Sequence, residues 1–164
     1  YEGLGKSAAK FHSQFSGGAE EFSLQYKTVS TVTDPFASIA KLQENLMDHL
    51  ESHRRAELEA AQCLTGPHKD DFEVSLSGIN LKAYGSQGQT RTAAISLKLA
   101  QRELMGRESG EIPVLLLDDV LSELDPGRQD FVLNQIVSGQ VFITCCDEEN
   151  ISRIADLDVT VERL

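Results

Sequence analysis

The sequence predicts an α/β fold in which a mostly parallel sheet is flanked by helices, and three observations carry that reading. Val114, Leu115, Leu116 and Leu117 form a continuous apolar run after Pro113, the pattern of a central parallel strand covered on both faces. Ala93, Ala94, Ile95, Leu97, Leu99, Ala100 and Leu104 give the segment Thr90 to Met105 a broad apolar face, which predicts a mostly buried helix. Beyond the first run, Asp125 and Pro126 open a helix that turns Phe131, Val132 and Ile136 inward and ends at Gly139, before a short apolar strand at Val141, Phe142 and Ile143. This strand, helix, strand succession implies a parallel pair joined by a right-handed crossover.

From the start of the chain, Ala8, Phe11 and Phe15 keep helical spacing, and Gly17 and Gly18 supply the stop. The string GLGKS at 3–7 matches the tail of a phosphate-binding loop. That motif needs a glycine five residues before Gly5 and a strand ahead of it, so Lys6 is read as a helix residue. Phe22, Leu24 and Tyr26 alternate with Ser23, Gln25 and Lys27, predicting a half-buried strand that continues toward Val32. Asp34 is the expected cap and Pro35 the first residue of a long helix running toward Gln62. Phe36, Ile39, Leu42, Leu46 and Leu50 mark one face of it.

Within that helix His49 and His53 sit one turn apart in HLESH. The metalloprotease pattern wants glutamate directly after the first histidine, where Leu50 stands, so the pair reads as a solvated face. Arg54 and Arg55 among Glu51, Glu57 and Glu59 read as exposed pairing along the helix. Gly66 and Pro67 then break the helix, Phe72, Val74 and Leu76 alternate as a strand, and Ser77 and Gly78 turn it into Ile79 and Leu81. His68, Lys69, Asp70 and Asp71 are unusually polar for a connector. The final segment, Asp156 to Leu164, alternates Val159 and Val161 and predicts an edge strand.

Chemistry concentrates between residues 84 and 125. Gly85 and Gly88 allow close backbone approach at the start of the 90–105 helix, where unpaired N–H groups and the positive dipole end favour an anion. Ser86 adds a hydroxyl donor. Asp118 and Asp119 follow the buried strand directly, and in open α/β sheets ligands sit beyond the carboxyl ends of the strands. A carboxylate there suits Mg²⁺ bridging phosphates, and its neighbour could orient or deprotonate a water. Taken singly, each signal has a bland counterpart: a strand stopping at a polar loop, and an ordinary glycine turn before a helix.

Their combination is more specific. SQGQ at 86–89 resembles the signature motif of ABC-type ATPases, LLLDD at 115–119 their Walker B and SELD at 122–125 their D-loop. Within that superfamily YGSQGQTRTAAISLKLA, the GPHKDDF at 66–72 and the aspartate pair closely resemble the RecF family of bacterial recombination mediators, related to the heads of SMC and Rad50 proteins. The resemblance implies the C-terminal part of an ABC-type ATPase head, with a long helix and β-hairpin before the signature helix. It assigns residues 1–65 to the end of the helical lobe and 66–164 to the signature, Walker B, D-loop and switch part.

It also implies site roles. Ser86, Gln87, Gly88 and Gln89 would meet ATP held by the opposite subunit, with Ser86 and Gly88 at the γ-phosphate. Asp118 would hold Mg²⁺ and Asp119 would be catalytic in their own subunit, while Asp125 would couple the sites across the interface. Thr144 stands where many ABC ATPases carry a histidine, and Asp119 where most carry glutamate. Thr144 cannot become cationic, which puts a histidine-type switch in doubt, although its hydroxyl can still hydrogen-bond phosphate or water. The shorter Asp119 carboxylate is compatible with slow hydrolysis, and RecF-like proteins share both departures. The implied function is an ATP-dependent homodimeric DNA clamp, a slow DNA-dependent ATPase. It would recognise gapped DNA at single-strand to double-strand junctions and help load RecA with RecO and RecR. With no P-loop lysine the chain is expected to be inactive alone. The readings of another class are a non-catalytic interaction module with an ABC-like shape, or an SMC or Rad50-type head fragment. Intact motifs speak against the first, and the lack of an extended heptad arm against the second.

Composition sets the frame for these readings. The 164 residues, 40% hydrophobic, suffice for one core. The net charge of −11, from 26 acidic and 15 basic residues, argues against a broad electrostatic footprint for DNA in this piece. The phosphate-contacting basic surface that the resemblance implies is therefore expected outside these residues or in small local patches. No apolar run approaches the roughly 20 residues that span a bilayer, and a cytoplasmic setting without membrane contact is expected. Cys63, Cys145 and Cys146 suit neither a disulfide framework nor a paired zinc site.

Overall fold

The computed structural model describes residues 1–29, 32–64, 66–136 and 138–145. The expected edge strand at 156–164 and Cys146 lie outside the described residues. The elements are α1 (Glu2–Ser16), β1 (Phe22–Lys27), α2 (Ile39–Ala60), β2 (Asp71–Leu76), β3 (Ile79–Asn80), α3 (Leu81–Tyr84), α4 (Gln87–Ser109), β4 (Leu115–Asp118), α5 (Pro126–Gln135) and β5 (Val141–Thr144). One sheet has the order β1-β2-β3, and β4 pairs with β5 in the other. Two compact units result, one of residues 1–23 with the described residues from 76 onward, the other of residues 24–75.

In the first unit α1 packs against α4. The helix forms as its spacing predicts and stops at Gly17, whose left-handed φ of 61° lets its N–H reach the Ser13 carbonyl. GLGKS lies within this helix, where Lys6 reaches back to Glu2 across an exposed 3.7 Å pair. Small residues allow the close approach of α1 and α4: Ala8 and Ala100 are both fully buried. At the other end of α1, the Phe15 and Phe131 rings lie 4.2 Å apart between centroids, holding α5 alongside. Along α4 the buried side is made by Thr92, Ala93, Ile95, Ser96, Leu99 and Ala100. Ala94 is exposed, and Leu97 and Leu104 are half-buried, which narrows the apolar face expected from spacing. Thr92 and Ser96 tolerate burial because each hydroxyl donates to the carbonyl one turn back, at 2.7 and 2.8 Å.

β4 and β5 run parallel, in register from Leu115 opposite Val141 to Asp118 opposite Thr144. The strand pair and its connecting helix agree with the sequence, but coverage on both faces does not. Leu115 and Leu117 are buried, whereas Leu116 is 71% and Phe142 55% exposed. Helices cover one side of this two-stranded sheet among the described residues, so alternation replaces the expected continuous burial.

In the second unit Asp34 does not cap α2. It closes a local turn instead, accepting the Phe36 N–H at its side chain and the Ala37 N–H at its carbonyl. Ser38 takes over as cap, through the Lys41 N–H at 3.4 Å. No residue of α2 is buried, and Ile39, on the expected inward face, is 84% exposed. His49 and His53 stack with ring centroids 3.8 Å apart, and among the described residues no group of three potential metal ligands forms. Asp70, from the polar string, accepts from the Tyr26 hydroxyl and from the Val29 N–H. This hydrogen bond raises the Tyr26 pKa above its ordinary value, because ionisation would remove the donated proton; partial burial and the adjacent carboxylate charge act in the same direction.

The turn after β2 uses positive φ at both central residues, Ser77 at 48° and Gly78 at 81°, as a tight hairpin requires. β3 is shorter than expected. Asn80 accepts the Ala83 N–H and starts the helical turn of α3, so Leu81 belongs to a helix and not to a strand.

The packing separates residues that carry stability from those that do not. Leu121, 1% exposed, is expected on truncation in Leu121→Ala to cost about 2–5 kcal/mol in denaturant unfolding. Ile39→Ala, at the 84% exposed position, should stay within about 0.5 kcal/mol of the unsubstituted chain.

Candidate functional site

Two groups of predicted site residues are assembled within the first unit. The first is the start of α4. Ser86 is its N-cap, and its Oγ accepts the Gln89 N–H at 3.2 Å while the Gln89 carboxamide oxygen accepts the Ser86 N–H at 3.0 Å. This reciprocal capping box fixes the helix entry. Gln87 is exposed at the first helical position. Gly85 is required for a reason other than the expected ligand approach. A Cβ there would lie 2.6 Å from the Leu81 carbonyl oxygen, so the backbone of α3 presses on it. At Gly88 a Cβ would meet the Arg128 guanidinium at 3.1 Å, the far end of a flexible side chain.

The second group forms at the carboxyl ends of β4 and β5. The Thr144 hydroxyl donates to Asp118 Oδ1 at 2.5 Å and accepts the Asp119 N–H at 2.9 Å. A single hydroxyl thus ties both aspartates to the neighbouring strand. Asp119 adopts a left-handed backbone, φ 49°, and its carboxylate accepts from the Ser122 hydroxyl at 2.8 Å. Asp118, Asp119 and Thr144 are all solvent-exposed, so the cluster can be reached from outside.

Asp125 connects toward the first group. Its carboxylate caps α5 through the Arg128 N–H at 3.1 Å and pairs with the Arg128 side chain at 3.3 Å. Arg128 therefore stands between the Asp125 turn and Gly88. Gln129 holds the same turn from inside, donating to the carbonyls of Leu121 and Leu124 at 2.7 and 3.1 Å.

Sequence reasoning missed Glu20, His12, Arg128 and Gln129. Glu20 accepts the Gln89 carboxamide N–H at 2.7 Å and lies 3.0 Å from His12 Nε2. Its pKa is lowered chiefly by the Gln89 hydrogen bond, against the opposing effect of burial, with help from His12 and from the Arg128 charge. The sequence carries no signal for this contact, whose partners stand 69 residues apart. Gln129 was in principle discoverable, one turn past a capping aspartate and able to face the same loop.

The residues present fit a magnesium ion held mostly by phosphate and water. Asp118 offers an exposed acceptor at a strand end, and among the described residues no three metal-binding side chains gather there. Mg²⁺ commonly takes one or two carboxylates and keeps its remaining positions for phosphate oxygens and waters.

Stability should respond to the Glu20 contact with a defined sign. A carboxylate with a lowered folded-state pKa contributes stability above its ordinary value of 4.5 and loses it as pH falls through the folded value. The unsubstituted chain should therefore lose stability relative to Glu20→Gln as pH falls from 4.5 through the lowered folded-state value, in urea unfolding series measured at successive pH.

No family model matches the chain. It is 44% identical over 140 residues to the DNA replication and repair protein RecF of Acetivibrio thermocellus, covering 85% of this chain and 38% of that protein. With RecF of Bacillus subtilis strain 168 it shares 42% over 149 residues, 90% of this chain and 40% of the relative. With RecF of Clostridium perfringens SM101 it shares 37% over 163 residues, 99% and 44%. The chain thus spans about two fifths of the length of the curated relatives it matches. Two solved structures of the recombination mediator protein RecF in the RecFOR pathway, RecF-ATP and RecF-ATPrS, superpose with TM-scores of 0.71 and 0.70 at 35% identity. They cover 90% and 91% of this chain, and this chain covers 39% of each. The α/β arrangement, with its parallel strands flanked by helices, is that of the RecF ABC-type ATPase head. Over nearly its whole length this chain is related to RecF, and it corresponds to the C-terminal portion of that family's proteins.

Proposed function

We propose that this chain supplies the signature and Walker B half of an ATP-dependent DNA repair and recombination clamp. The observation that supports it most is the pairing of Asp118 with Thr144 at the carboxyl ends of two parallel strands. That edge is where α/β sheets receive nucleotides. The relatives' name, DNA replication and repair protein RecF, supplies the biological setting.

On this reading Asp118 holds Mg²⁺, which would neutralise developing charge on the phosphates. Asp119, fixed by Ser122, orients and accepts a proton from the attacking water. Thr144 keeps both carboxylates in place through its hydroxyl; unlike a histidine, it offers the γ-phosphate a neutral partner. Ser86, Gln87, Gly88 and Gln89 present a capped helix N-terminus to ATP held by the opposite subunit. Asp125 caps α5 beside Arg128 and Gly88, a location from which movement of the D-loop would be felt by the signature turn. ATP then joins two heads, and hydrolysis releases them. The same reading extends to gapped DNA at single-strand to double-strand junctions, to RecO and RecR as partners, and to assistance in loading RecA.

The test is molecular mass in solution, with and without ATP and Mg²⁺, of a chimera in which this chain replaces the matching part of Bacillus subtilis RecF. The expected result is an ATP-dependent dimer that is lost in Ser86→Arg. A dimer indifferent to that substitution would overturn the role of the signature turn in trans. In the same chimera Asp118→Asn should lower ATP turnover at least about a hundredfold, the loss of a few kcal/mol of charge stabilisation. The chain by itself should show negligible ATPase, and robust turnover abolished by Asp118→Asn would contradict the proposal.

A further inference from the structure

The start of α4 is not held by its own capping box alone. The Gln89 carboxamide is bound at both ends, its oxygen taking the Ser86 N–H at 3.0 Å and its nitrogen donating to Glu20 Oε1 at 2.7 Å. A carboxylate only accepts, so the Glu20 contact fixes which end of the amide faces which partner. Without it, the amide could rotate and turn its nitrogen toward another donor, the Ser86 N–H. The other Glu20 oxygen lies 3.0 Å from His12 Nε2, which must be the donor in that contact.

His12 gives this chain a rigid back end. Its ring is fully buried, stands 5.4 Å from the Phe22 ring between centroids, and belongs to the part of α1 that packs on α4. Its Nδ1 is buried with no hydrogen-bond partner. Nε2 is therefore the polar atom through which the ring acts, and that atom points at Glu20. Burial of a histidine with one nitrogen unpartnered is a cost that core packing alone does not require.

At the front end, the cap sets which backbone donors remain for a ligand. Ser86 Oγ takes the Gln89 N–H and the Ser86 carbonyl takes the Thr90 N–H, leaving those of Gln87 and Gly88 at the exposed tip. Their direction depends on the Ser86 backbone, and so on Gln89 and Glu20.

We infer that Glu20 is a positioning residue for the signature turn: backed by buried His12, it locks the Gln89 carboxamide and thereby the Ser86 to Gly88 backbone that meets the nucleotide. Only the last step rests on the nucleotide reading above. Glu20 acts through Gln89 and does not itself touch the ligand.

A double-mutant cycle on the chain itself tests the locking, with amide hydrogen exchange at Ser86 as the readout and exchange in the Thr92 to Ala100 interior of α4 as the folding control. Glu20→Ala should speed Ser86 exchange about fivefold, the equilibrium weight of one hydrogen bond. The same substitution should have no further effect in a Gln89→Ala background. Equal effects in both backgrounds, or no effect in either, would overturn the inference. Should Glu20→Ala fail to fold, Glu20→Asp keeps the charge while withdrawing the carboxylate by one methylene, and must give the same dependence on Gln89. In the RecF chimera, Glu20→Ala should raise the ATP concentration for half-maximal dimerisation about fivefold. A chimera that never dimerises with ATP would refute the nucleotide reading alone, because Ser86 exchange judges the locking independently.

Discussion

The parallel register of β4 and β5 is the constraint on which the rest of the site depends. Because Asp118 stands opposite Thr144, one hydroxyl can serve two successive residues of the neighbouring strand end. A slip of one residue would turn Leu115 and Leu117 outward and carry Thr144 away from both aspartates. Core packing and site geometry are therefore enforced by the same pairing. Hydrophobic burial of Leu115, Leu117, Val132 and Leu133 selects the register, and the polar chemistry at the edge inherits it.

A second device solves a different problem, the orientation of a helix end. The four leading N–H groups of α4 need partners or a ligand. Ser86 and Gln89 settle part of that need locally, and Glu20 extends the cap to α1 and its loop. Arg128 approaches the same turn from the Asp125 side. The signature turn is consequently bounded by side chains from two further parts of the chain, 69 and about 40 residues away in sequence.

Most of the architecture was legible because it is local. Apolar spacing located α1, α4 and α5, alternation located β1 and β2, and Pro126 after Asp125 marked a helix start that the structure retains. The misread boundaries share a cause. Asp34 and Asn80 are short polar side chains that can serve a turn or a helix cap equally well, and each was taken by the nearer backbone donor. Coverage of β4 failed for another reason: an apolar run states that Leu116 can be buried, not what would bury it. At the site, motif residues were readable from their order and spacing. Glu20 and His12 were not, since a contact between distant segments leaves no periodicity behind.

The left-handed backbone of Asp119 gives its side-chain length a structural meaning. Among residues with a Cβ, aspartate and asparagine enter that region most readily, because a short polar side chain can engage the local backbone or a near neighbour. Asp119 does so through Ser122. Glutamate, the usual residue at this place in the wider ABC superfamily, has an added methylene and lacks that local compensation. The conformation of a single peptide unit thereby limits which carboxylate can occupy the position. On the proposed reading, a chain that ends its strand with this turn would accept a shorter reach toward the attacking water as a consequence of its backbone, so the pace of hydrolysis and the shape of the loop would not be separately adjustable.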